Sequence, residues 1–260
     1  MSIAGLVHKF SPFNTTGRLI RLPLKLIPSG AEIPILTGIN RGMRWIAGSA
    51  SSNAPWAGVY EADHMEALKK IVRPGMVAFD VGANVGFYTF AFSRLVGDTG
   101  RVYSFEPDGR NSYMLQRHIE LNRLQNVSLI QAAISSESGL VGFAGKMEGG
   151  AISKQSAYQI PAISLDEFVR SGNPEPSFIK MDIQGAERAA LDGAVSILSK
   201  GKAAWLMATH SDELRESCKE FMARYGYRFT GFDCKSDPGN EGDFVALPAG
   251  RVSGDNPECL

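Results

Sequence analysis

The fold is decided by the stretch Met76-Val77-Ala78-Phe79-Asp80-Val81-Gly82-Ala83-Asn84-Val85-Gly86. Its apolar run from Val77 to Val81 predicts a buried parallel strand. A helical pattern from Phe87 to Val96 begins directly after the last glycine. Glycines allow the backbone to approach a ligand closely, and the start of a helix offers free N–H donors. The stretch therefore predicts a strand, a ligand-binding turn and a helix N-terminus.

The chemistry of this turn separates two kinds of ligand. A dinucleotide fingerprint would read G-x-G-x-x-G, whereas this chain has Gly82, Asn84 and Gly86 preceded by Asp80. A carboxylate there would repel phosphates but would suit a cationic or zwitterionic ligand. S-adenosylmethionine carries a sulfonium, an ammonium, a carboxylate and a ribose but no phosphate, so the pattern favours it. The alternative is a plain connection between strand and helix.

The next two predicted strands offer groups for the rest of such a ligand. The strand Arg101 to Phe105 ends in Glu106, twenty residues beyond Gly86, where a carboxylate can accept both hydroxyls of a ribose. A third strand, Val127 to Ala132, is followed by Ala133. The small side chains and backbone groups at that strand end can admit an adenine ring. We therefore expect the cofactor-binding residues to be Asp80, Gly82, Asn84, Gly86, Glu106 and Ala133.

Composition limits the class of protein. The chain has 260 residues, 44% hydrophobic and 21% charged, and a formal net charge of zero. No global field favours nucleic acid, which we do not expect as a partner. Three widely spaced cysteines indicate neither a disulfide scaffold nor a zinc site. With no membrane-spanning run and no signal peptide in the sequence, we expect a cytoplasmic protein.

The N-terminal part is predicted to be an extension of the main domain. Residues 1–50 carry six basic side chains and one acidic one, so they hold a net charge of +5 and the remainder −5. We expect residues 1–55 to form a basic arm and a hairpin, the latter from Ile33 to Ile46, and residues 56–260 to form the binding domain. The arm is expected to pack on that domain. Peripheral contact of residues 1–30 with a membrane is the alternative.

From residue 77 onward strands and helices alternate, which predicts a mostly parallel sheet with helices on both faces. Residues 135–163 interrupt the alternation with short apolar pieces, which we expect to be strands inserted near the carboxyl edge of the sheet. Two final strands without a helix between them, Tyr227 to Asp233 and Phe244 to Leu247, predict a terminal antiparallel hairpin. This is the seven-stranded α/β order of a class I, Rossmann-like methyltransferase.

The other predicted elements are a loop from Ser49 to Pro55, a helix to about Val72, helices Arg110–Asn122, Ala186–Leu198 and Asp212–Tyr225, a capping box at Ser164, and strands Phe178–Asp182 and Ala203–Ala208.

The sequence resembles the FkbM family of S-adenosylmethionine-dependent methyltransferases over about residues 56–232. The resemblance rests on Trp56-Ala57-Gly58-Val59-Tyr60-Glu61, on the run from Phe79 to Thr89, on Phe105-Glu106-Pro107, and on Phe178-Ile179-Lys180-Met181-Asp182-Ile183-Gln184-Gly185-Ala186-Glu187. His210 matches a histidine that the family usually has after the fifth strand. Gln184 departs from the family, which usually has an acidic residue there. The resemblance implies methylation of a hydroxyl on a sugar, a polyketide or a similar metabolite.

Asp182 and His210 are the candidate catalytic residues. They end adjacent predicted strands at the carboxyl edge, where open α/β sheets bind their ligands. Transfer of a methyl group to a neutral hydroxyl needs positioning and a base. Their alternatives are structural: a capping carboxylate and a histidine satisfied by backbone. A divalent metal shared by the two is a further alternative, but two ligands do not make a site, and we assign no metal residue.

Other functions stay open at this point. An N-methyltransferase would depend less on a base. A non-catalytic S-adenosylmethionine-binding module would need no base at all. A nicotinamide dehydrogenase would bind a dinucleotide, which Asp80 and the missing third glycine disfavour.

Overall fold

A computed structural model of the chain describes residues 27–50, 54–57, 60–144, 151–153, 156–232 and 243–249. The basic arm up to residue 26, Gly58, Val59, Cys234, Cys259 and the loop predicted from Ser236 to Gly242 lie outside the described residues. The strands are β1 (Glu32–Pro34), β2 (Arg44–Ile46), β3 (Val77–Val81), β4 (Arg101–Phe105), β5 (Val127–Ile130), β6 (Ala133–Ile134), β7 (Gly139–Ala144), β8 (Ala151–Ile152), β9 (Gln159–Ile163), β10 (Phe178–Met181), β11 (Ala204–Ala208), β12 (Tyr227–Thr230) and β13 (Asp243–Pro248). The helices are α1 (Ala54–Ala57), α2 (Ala62–Ile71), α3 (Phe87–Val96), α4 (Gly109–Asn122), α5 (Leu165–Arg170), α6 (Glu187–Asp192), α7 (Val195–Lys200) and α8 (Asp212–Ala223).

The main sheet has seven strands in the order β12-β13-β11-β10-β3-β4-β5. Strands β5, β4, β3, β10 and β11 run parallel, and β13 pairs antiparallel with both β11 and β12. This order confirms the predicted class I methyltransferase fold with its terminal antiparallel hairpin. The order reverses between β3 and β10, so the ends of these two strands form the crevice where such sheets bind ligands.

Alternate side chains of each central strand fill two different cores. Ala78, Phe178 and Leu206 pack in one apolar cluster, whereas Phe79 and Ile179 pack in the other. A strand buried on both faces needs apolar residues at every position, which explains its continuous hydrophobic run. Helices therefore cover both faces of the sheet. No helix among the residues described has the length and apolar character needed to cross a membrane.

Strands β6, β7, β8 and β9 form a second, four-stranded sheet in the order β6-β9-β7-β8. The strands predicted in this region are present, but they do not enter the main sheet. The predicted third strand is also shorter, because β5 ends at Ile130 and Ala133 begins β6, which pairs in parallel with β9. The chain thus leaves the main sheet two residues before Ala133. This exit places Ala133 at the start of the second sheet.

The single helix predicted from Ala186 to Leu198 is wrong, because the structure has two helices, α6 and α7. The break lies at Gly193, where a side chain would be only 2.3 Å from the carbonyl oxygen of Ser135. The carboxylate of Asp166 accepts hydrogen bonds from the backbone N–H groups of Ser196 and Ile197, so it caps α7. These partners come from distant parts of the sequence. Local helical periodicity could not reveal them.

Two other predicted boundaries can be compared directly. The predicted loop from Ser49 to Pro55 ends earlier than expected because α1 begins at Ala54. The cap at Ser164 is confirmed, since its Oγ accepts a hydrogen bond from the backbone N–H of Glu167. Ser211 likewise caps α8 through the N–H of Leu214.

The predicted hairpin near Ile33 to Ile46 is present as β1 and β2, and it packs tightly on the main domain. Trp45 is buried and stacks on His118 of α4, with ring centroids 4.4 Å apart. His118 accepts a hydrogen bond from the N–H of Ile46, and its Nδ1 lies 2.7 Å from the carbonyl oxygen of Val85. Burial lowers the pKa of His118 to about 4, so the ring is neutral at ordinary pH. This neutral histidine joins the hairpin to the glycine turn.

Candidate functional site

The glycine turn after β3 is shaped by contacts that allow no side chain. Gly82 has φ +80°, and a Cβ there would lie 1.9 Å from the backbone oxygen of Asp182. Gly86 has φ +101° and precedes α3, with a would-be Cβ 2.4 Å from Leu115 Cδ1. Both positions combine a left-handed backbone with close packing, so both require glycine. The turn is therefore fixed against the end of β10 on one side and against α4 on the other.

Glu106 organises the turn from the neighbouring strand. Its Oε2 accepts a hydrogen bond of 2.8 Å from the N–H of Asn84, and its Oε1 accepts one of 2.9 Å from the N–H of Asp108. Burial raises the pKa of Glu106 to about 7, although these N–H groups partly oppose the shift. A carboxylate has about four lone-pair sites. Oε1 also accepts a long hydrogen bond of 3.5 Å from Asn111 Nδ2, so Oε2 keeps one free site and Oε1 can take a hydroxyl when it replaces that long bond. Glu106 lines the cavity and can accept the two hydroxyls of a ribose in this way.

Asn84 has a left-handed backbone, with φ +50°, and uses several of its groups within the turn. Its N–H donates to Glu106, and its Oδ1 accepts from the N–H of Val85. Asn84 lines the cavity. Its side-chain NH₂ is thus the group suited to meet a ligand carboxylate.

Asp80 lies beneath this turn and is completely buried. Its Oδ2 accepts a hydrogen bond from Thr89 Oγ1, which also lies 2.9 Å from Ser104 Oγ. Its Oδ1 has no hydrogen-bond partner among the described residues. Burial raises the pKa of Asp80, against the opposing effect of Lys180. Asp80 is not among the residues that line the cavity, so its negative charge acts on a ligand from below.

Lys180 connects Asp80 with the other side of the site. The ammonium of this strand β10 residue lies 4.0 Å from Asp80 Oδ1 and 3.5 Å from Asp182 Oδ2, and it donates to the carbonyl oxygen of Gly82. It also sits 4.9 Å from the centre of the Tyr88 ring. Burial opposes its charge, but Asp182 and Asp80 outweigh burial and raise the pKa of Lys180. Lys180 is therefore paired with two carboxylates.

Asp182 and His210 are in contact, as predicted from their places at adjacent strand ends. His210 Nε2 lies 3.1 Å from Asp182 Oδ1. The hydrogen bond to Asp182 raises the pKa of His210. Burial would raise the pKa of Asp182, but Lys180 and His210 outweigh it and lower that pKa to about 2. Asp182 lines the cavity and His210 stands behind it, about two-fifths exposed.

Glu187 completes a triad of possible metal ligands with Asp182 and His210, whose donor atoms lie within 4.8 Å of one another. Two of these possible ligands, Glu187 and Asp182, already interact with other groups, which would compete with a metal ion. Glu187 is fully buried and its carboxylate accepts backbone N–H groups from Ile183 and Gly185. Lys180 supplies positive charge beside Asp182. The triad is geometrically able to hold a cation, but its charges already have partners.

Glu61, the last residue of the Trp56 to Glu61 run, joins a hydrogen-bonded group on the same side of the cavity as Tyr88. Tyr88 donates a hydrogen bond to Glu61 Oε2, and His64 Nδ1 lies 2.7 Å from the Tyr88 hydroxyl. His64 Nε2 lies 3.6 Å from Asp243 Oδ2. Burial opposes ionisation of Glu61, but hydrogen bonds from His64, Tyr88 and Tyr60 outweigh it and lower its pKa. The left-handed backbone of Glu61, with φ +45°, is a signal that only the structure contains.

These groups surround one cavity of about 200 Å³. That space is far larger than the roughly 10–15 Å³ needed by a single water molecule, so the crevice is open and not filled by core side chains. Glu106 follows β4 and Asp182 follows β10, on opposite sides of β3, so these two carboxylates mark two ends of the crevice, and part of the lining can be assigned to each end. The apolar lining is Phe105, Pro107, Ala132, Ala133, Ile134, Phe143 and Ile152, and the polar end is Tyr60, Tyr88, Lys180, Asp182 and Gln184.

The predicted site residues are distributed around this cavity in three ways. Gly82, Asn84, Glu106, Ala133 and Asp182 line it directly. Asp80 and His210 lie behind lining residues, and Gly86 starts α3. Sequence reasoning missed Phe143 and Ile152, which belong to the second sheet, and Trp45 of the hairpin. The sequence carries no local motif for these apolar residues.

The fold and this cavity define a class I methyltransferase domain. A family model described as the methyltransferase FkbM domain matches residues 80–229, and the chain belongs to this family. The predicted family membership is confirmed.

The individual relatives have low sequence identity to this chain, and each matches only part of it. The hexuronic acid methyltransferase AglP of Haloferax volcanii is 27% identical over 143 residues, which are 53% of this chain and 58% of that protein. The ribosomal protein L11 methyltransferase of Caldanaerobacter subterraneus is 27% identical over 125 residues, 47% of this chain and 37% of that protein. The chain covers less than two thirds of either relative. A crystal structure of methyltransferase FkbM from Methylobacillus flagellatus has a TM-score of 0.50 and 17% identity, and the match covers 76% of this chain and 56% of that one.

Family membership implies S-adenosylmethionine as cofactor, and the donor set of the cavity fits that molecule. Glu106 can accept two hydroxyls when one of them replaces the long hydrogen bond from Asn111, and the apolar residues near Ala133 suit a flat aromatic ring. Lys180 is the only Lys or Arg among the described residues that line the cavity, and it already contacts two carboxylates. A pyrophosphate would meet no free cation from these residues. The cavity residues match a ribose and a sulfonium better than they match a pyrophosphate.

Proposed function

We propose that this chain is an S-adenosylmethionine-dependent O-methyltransferase that acts on a hydroxyl of a sugar, a polyketide or a similar metabolite. The observation that carries the proposal is the contact between Asp182, which lines the cavity, and His210 behind it, 3.1 Å away. This pair is at the opposite end of the cavity from Glu106. A base beside the acceptor is the feature that O-methylation requires and a passive binding module does not.

In this proposal the cofactor residues act at different depths. Glu106 binds the ribose hydroxyls, and the region of Ala133 receives the adenine. The Gly82 to Gly86 turn and Asn84 hold the methionine carboxylate. Asp80 and Lys180 lie beneath the turn, and their charges determine the electrostatic environment of the methionine end of the cofactor. The bound cofactor supplies a methyl group on a sulfonium, which is already a strong electrophile.

The chain's own chemistry concerns the acceptor proton. Asp182 accepts a hydrogen bond from the acceptor hydroxyl and orients it toward the methyl group. Because the pKa of Asp182 is about 2, this carboxylate is a weak base and does not keep the proton. In the neutral ring that this proposal requires, the hydrogen is on Nδ1, so the free Nε2, 3.1 Å from Asp182 Oδ1, receives the hydroxyl proton through Asp182 as the new bond to the methyl group forms. The imidazolium that results donates Nε2–H to Asp182, which is the hydrogen bond that raises the pKa of His210. His210 must therefore be neutral before each turnover.

The test separates binding from catalysis. His210→Ala is expected to retain cofactor binding in calorimetry but to slow release of S-adenosylhomocysteine by roughly 10²–10⁴-fold. The wild-type rate should rise with pH, because only neutral His210 can accept a proton, and its midpoint should lie above the ordinary histidine value of 6.5. Asp182→Asn removes the carboxylate that raises this pKa, so the midpoint should move to lower pH. An unchanged rate in His210→Ala would remove the histidine as base.

Two other activities give different outcomes in the same assay. A non-catalytic module would bind the cofactor and release no product with any acceptor. An N-methyltransferase would act on amines, and its rate would depend little on His210. The comparison of hydroxyl and amine acceptors therefore decides among the three.

A further inference from the structure

The polar end of the cavity contains more carboxylates than cations. Asp182 lies in its wall, and Glu61 and Asp243 lie behind Tyr88 and His64. Lys180 is the only lysine or arginine that lines the cavity within the described residues. Its ammonium already lies between Asp80 and Asp182. This end therefore has no spare lysine or arginine in the described part of the chain.

The carboxylates also act on one another. Burial raises the pKa of Asp243, and repulsion from Asp182 and Glu61 adds to the increase against the opposing effect of His64. Burial and then Glu61 raise the pKa of Tyr60, and Asp182 and Asp243 contribute further. Burial is the largest cause of both shifts, and the neighbouring carboxylates add to it. The carboxylates of Glu61, Asp182 and Asp243 in and behind this wall outnumber its one ammonium, that of Lys180, among the described residues.

We infer that the acceptor is an uncharged glycoside or polyol, and that the negative charge of Glu61, Asp182 and Asp243 excludes acceptors that carry a carboxylate, such as uronic acids. This inference rests on the proposed function and adds the charge class of its substrate. Two like charges about 7 Å apart, at an effective dielectric constant near 20, repel strongly enough to reduce binding about 10- to 100-fold. The same field favours the sulfonium of the cofactor. Hydroxyl-rich acceptors still find acceptor oxygens at Asp182 and hydroxyl groups at Tyr60 and Tyr88.

The first experiment compares acceptors that share one sugar ring and differ at C6, where the acid and its methyl ester form the pair that isolates the charge. Phenyl β-D-glucopyranoside, the corresponding glucuronide and the methyl ester of that glucuronide are each offered to the full chain with S-adenosylmethionine. We expect the glucoside and the neutral ester to give kcat/KM values at least about 10-fold above the glucuronide. A glucuronide that reacts as well as its ester overturns the inference, while the O-methyltransferase proposal survives.

The second experiment needs no acceptor. Calorimetry compares S-adenosylhomocysteine, which is uncharged at sulfur, with sinefungin, which carries a protonated amine in place of the methyl-sulfonium group. We expect sinefungin to bind about 10-fold more tightly, and we expect Glu61→Gln and Asp243→Asn each to reduce that ratio. Asp98→Asn, an exposed carboxylate at the opposite, amino edge of the sheet, should leave the ratio unchanged.

The outcomes separate the two proposals. If none of the three glycosides reacts, the ratio of the two cofactor analogues decides: tighter binding of sinefungin supports the inference, and equal or weaker binding overturns it. Melting temperatures identify any variant that fails to fold, and the wild-type ratios stand without the variants. If neither analogue binds, the proposed function fails together with the inference.

Discussion

The two ends of the cavity are built in opposite ways. The end at Glu106 has one buried carboxylate, held by two backbone N–H groups, among apolar side chains. The end at Asp182 contains linked charges, in which Lys180 and His210 each contact that carboxylate. The first end can hold a fixed, chemically constant ligand through shape and two hydrogen bonds. The second can orient a variable acceptor and move a proton, which a rigid apolar wall cannot do.

Both ends of the cavity depend on the close contact between Gly82 of the glycine turn and the backbone of Asp182 at the end of β10. A substitution that breaks this contact should therefore have the largest effect. Gly82→Ala would place a Cβ 1.9 Å from the carbonyl oxygen of Asp182 in a left-handed backbone. We expect it to destabilise the fold by about 3 kcal/mol or more and to abolish cofactor binding. Thermal melting and calorimetry measure the two effects.

Gly75→Ala is the matched control, because Gly75 has nearly the same φ, +82°, but a Cβ there would be 3.6 Å from its nearest neighbour. It should cost only about 1–2 kcal/mol from backbone strain. Equal destabilisation by both variants would mean that the contact with Asp182 is unimportant.

The next prediction tests whether the two ends have separate tasks. Glu106→Gln removes the charged acceptor of the ribose hydroxyls, so S-adenosylmethionine affinity should fall about 10- to 100-fold. Asp182→Asn should change that affinity only a few-fold and should instead lower kcat. Calorimetry and steady-state kinetics on both variants give a two-by-two comparison. If the two substitutions affected affinity alike, the division between the ends would be wrong.

This division also explains what the sequence could reveal. The residues from Asp80 to Glu106 lie within a single strand-helix-strand unit, so spacing alone predicted the turn, its ligand chemistry and the ribose acceptor. Asp182 and His210 were predicted because parallel strands end at one edge of a sheet. Glu61 and His64 form a local i,i+3 pair, but they reach the site through Tyr88 and Asp243, which are distant in sequence. Phe143 and Ile152 depend on a second sheet whose separation from the first was not predicted.

The same logic accounts for the errors in the elements. Strands β3 and β4 were predicted to the residue, since a buried parallel strand needs apolar residues throughout. The helix through Gly193 was predicted as continuous because its two halves share a helical period. The break arises from the carbonyl of Ser135 and the carboxylate of Asp166, which are distant in sequence. Local patterns thus predict elements well and their interruptions poorly.

The pH dependence of cofactor binding should distinguish the two ends further. The pKa of Glu106 is raised to about 7, and only its ionised form can accept two hydroxyl groups while it holds two N–H groups. Affinity for S-adenosylmethionine should therefore be constant above pH 8 and should fall by up to about tenfold per unit below pH 7. Glu106→Gln should abolish this dependence over the same range. Asp182, with a pKa of about 2, should contribute nothing to it between pH 5 and 8.

The smallest expected effect concerns a metal at the charged end. Asp182, Glu187 and His210 approach one another closely enough to bind a cation. However, Lys180 already supplies positive charge 3.5 Å from Asp182, and the Glu187 carboxylate accepts backbone N–H groups. Taking a metal would require these interactions to be broken. Treatment with a chelator is therefore expected to change the methylation rate less than twofold, and added Mg²⁺ or Mn²⁺ should not raise it. A chelator-sensitive rate that is restored by one of these ions, and lost in Glu187→Gln, would show that the charged end uses a metal where we assign the role to Lys180 and His210.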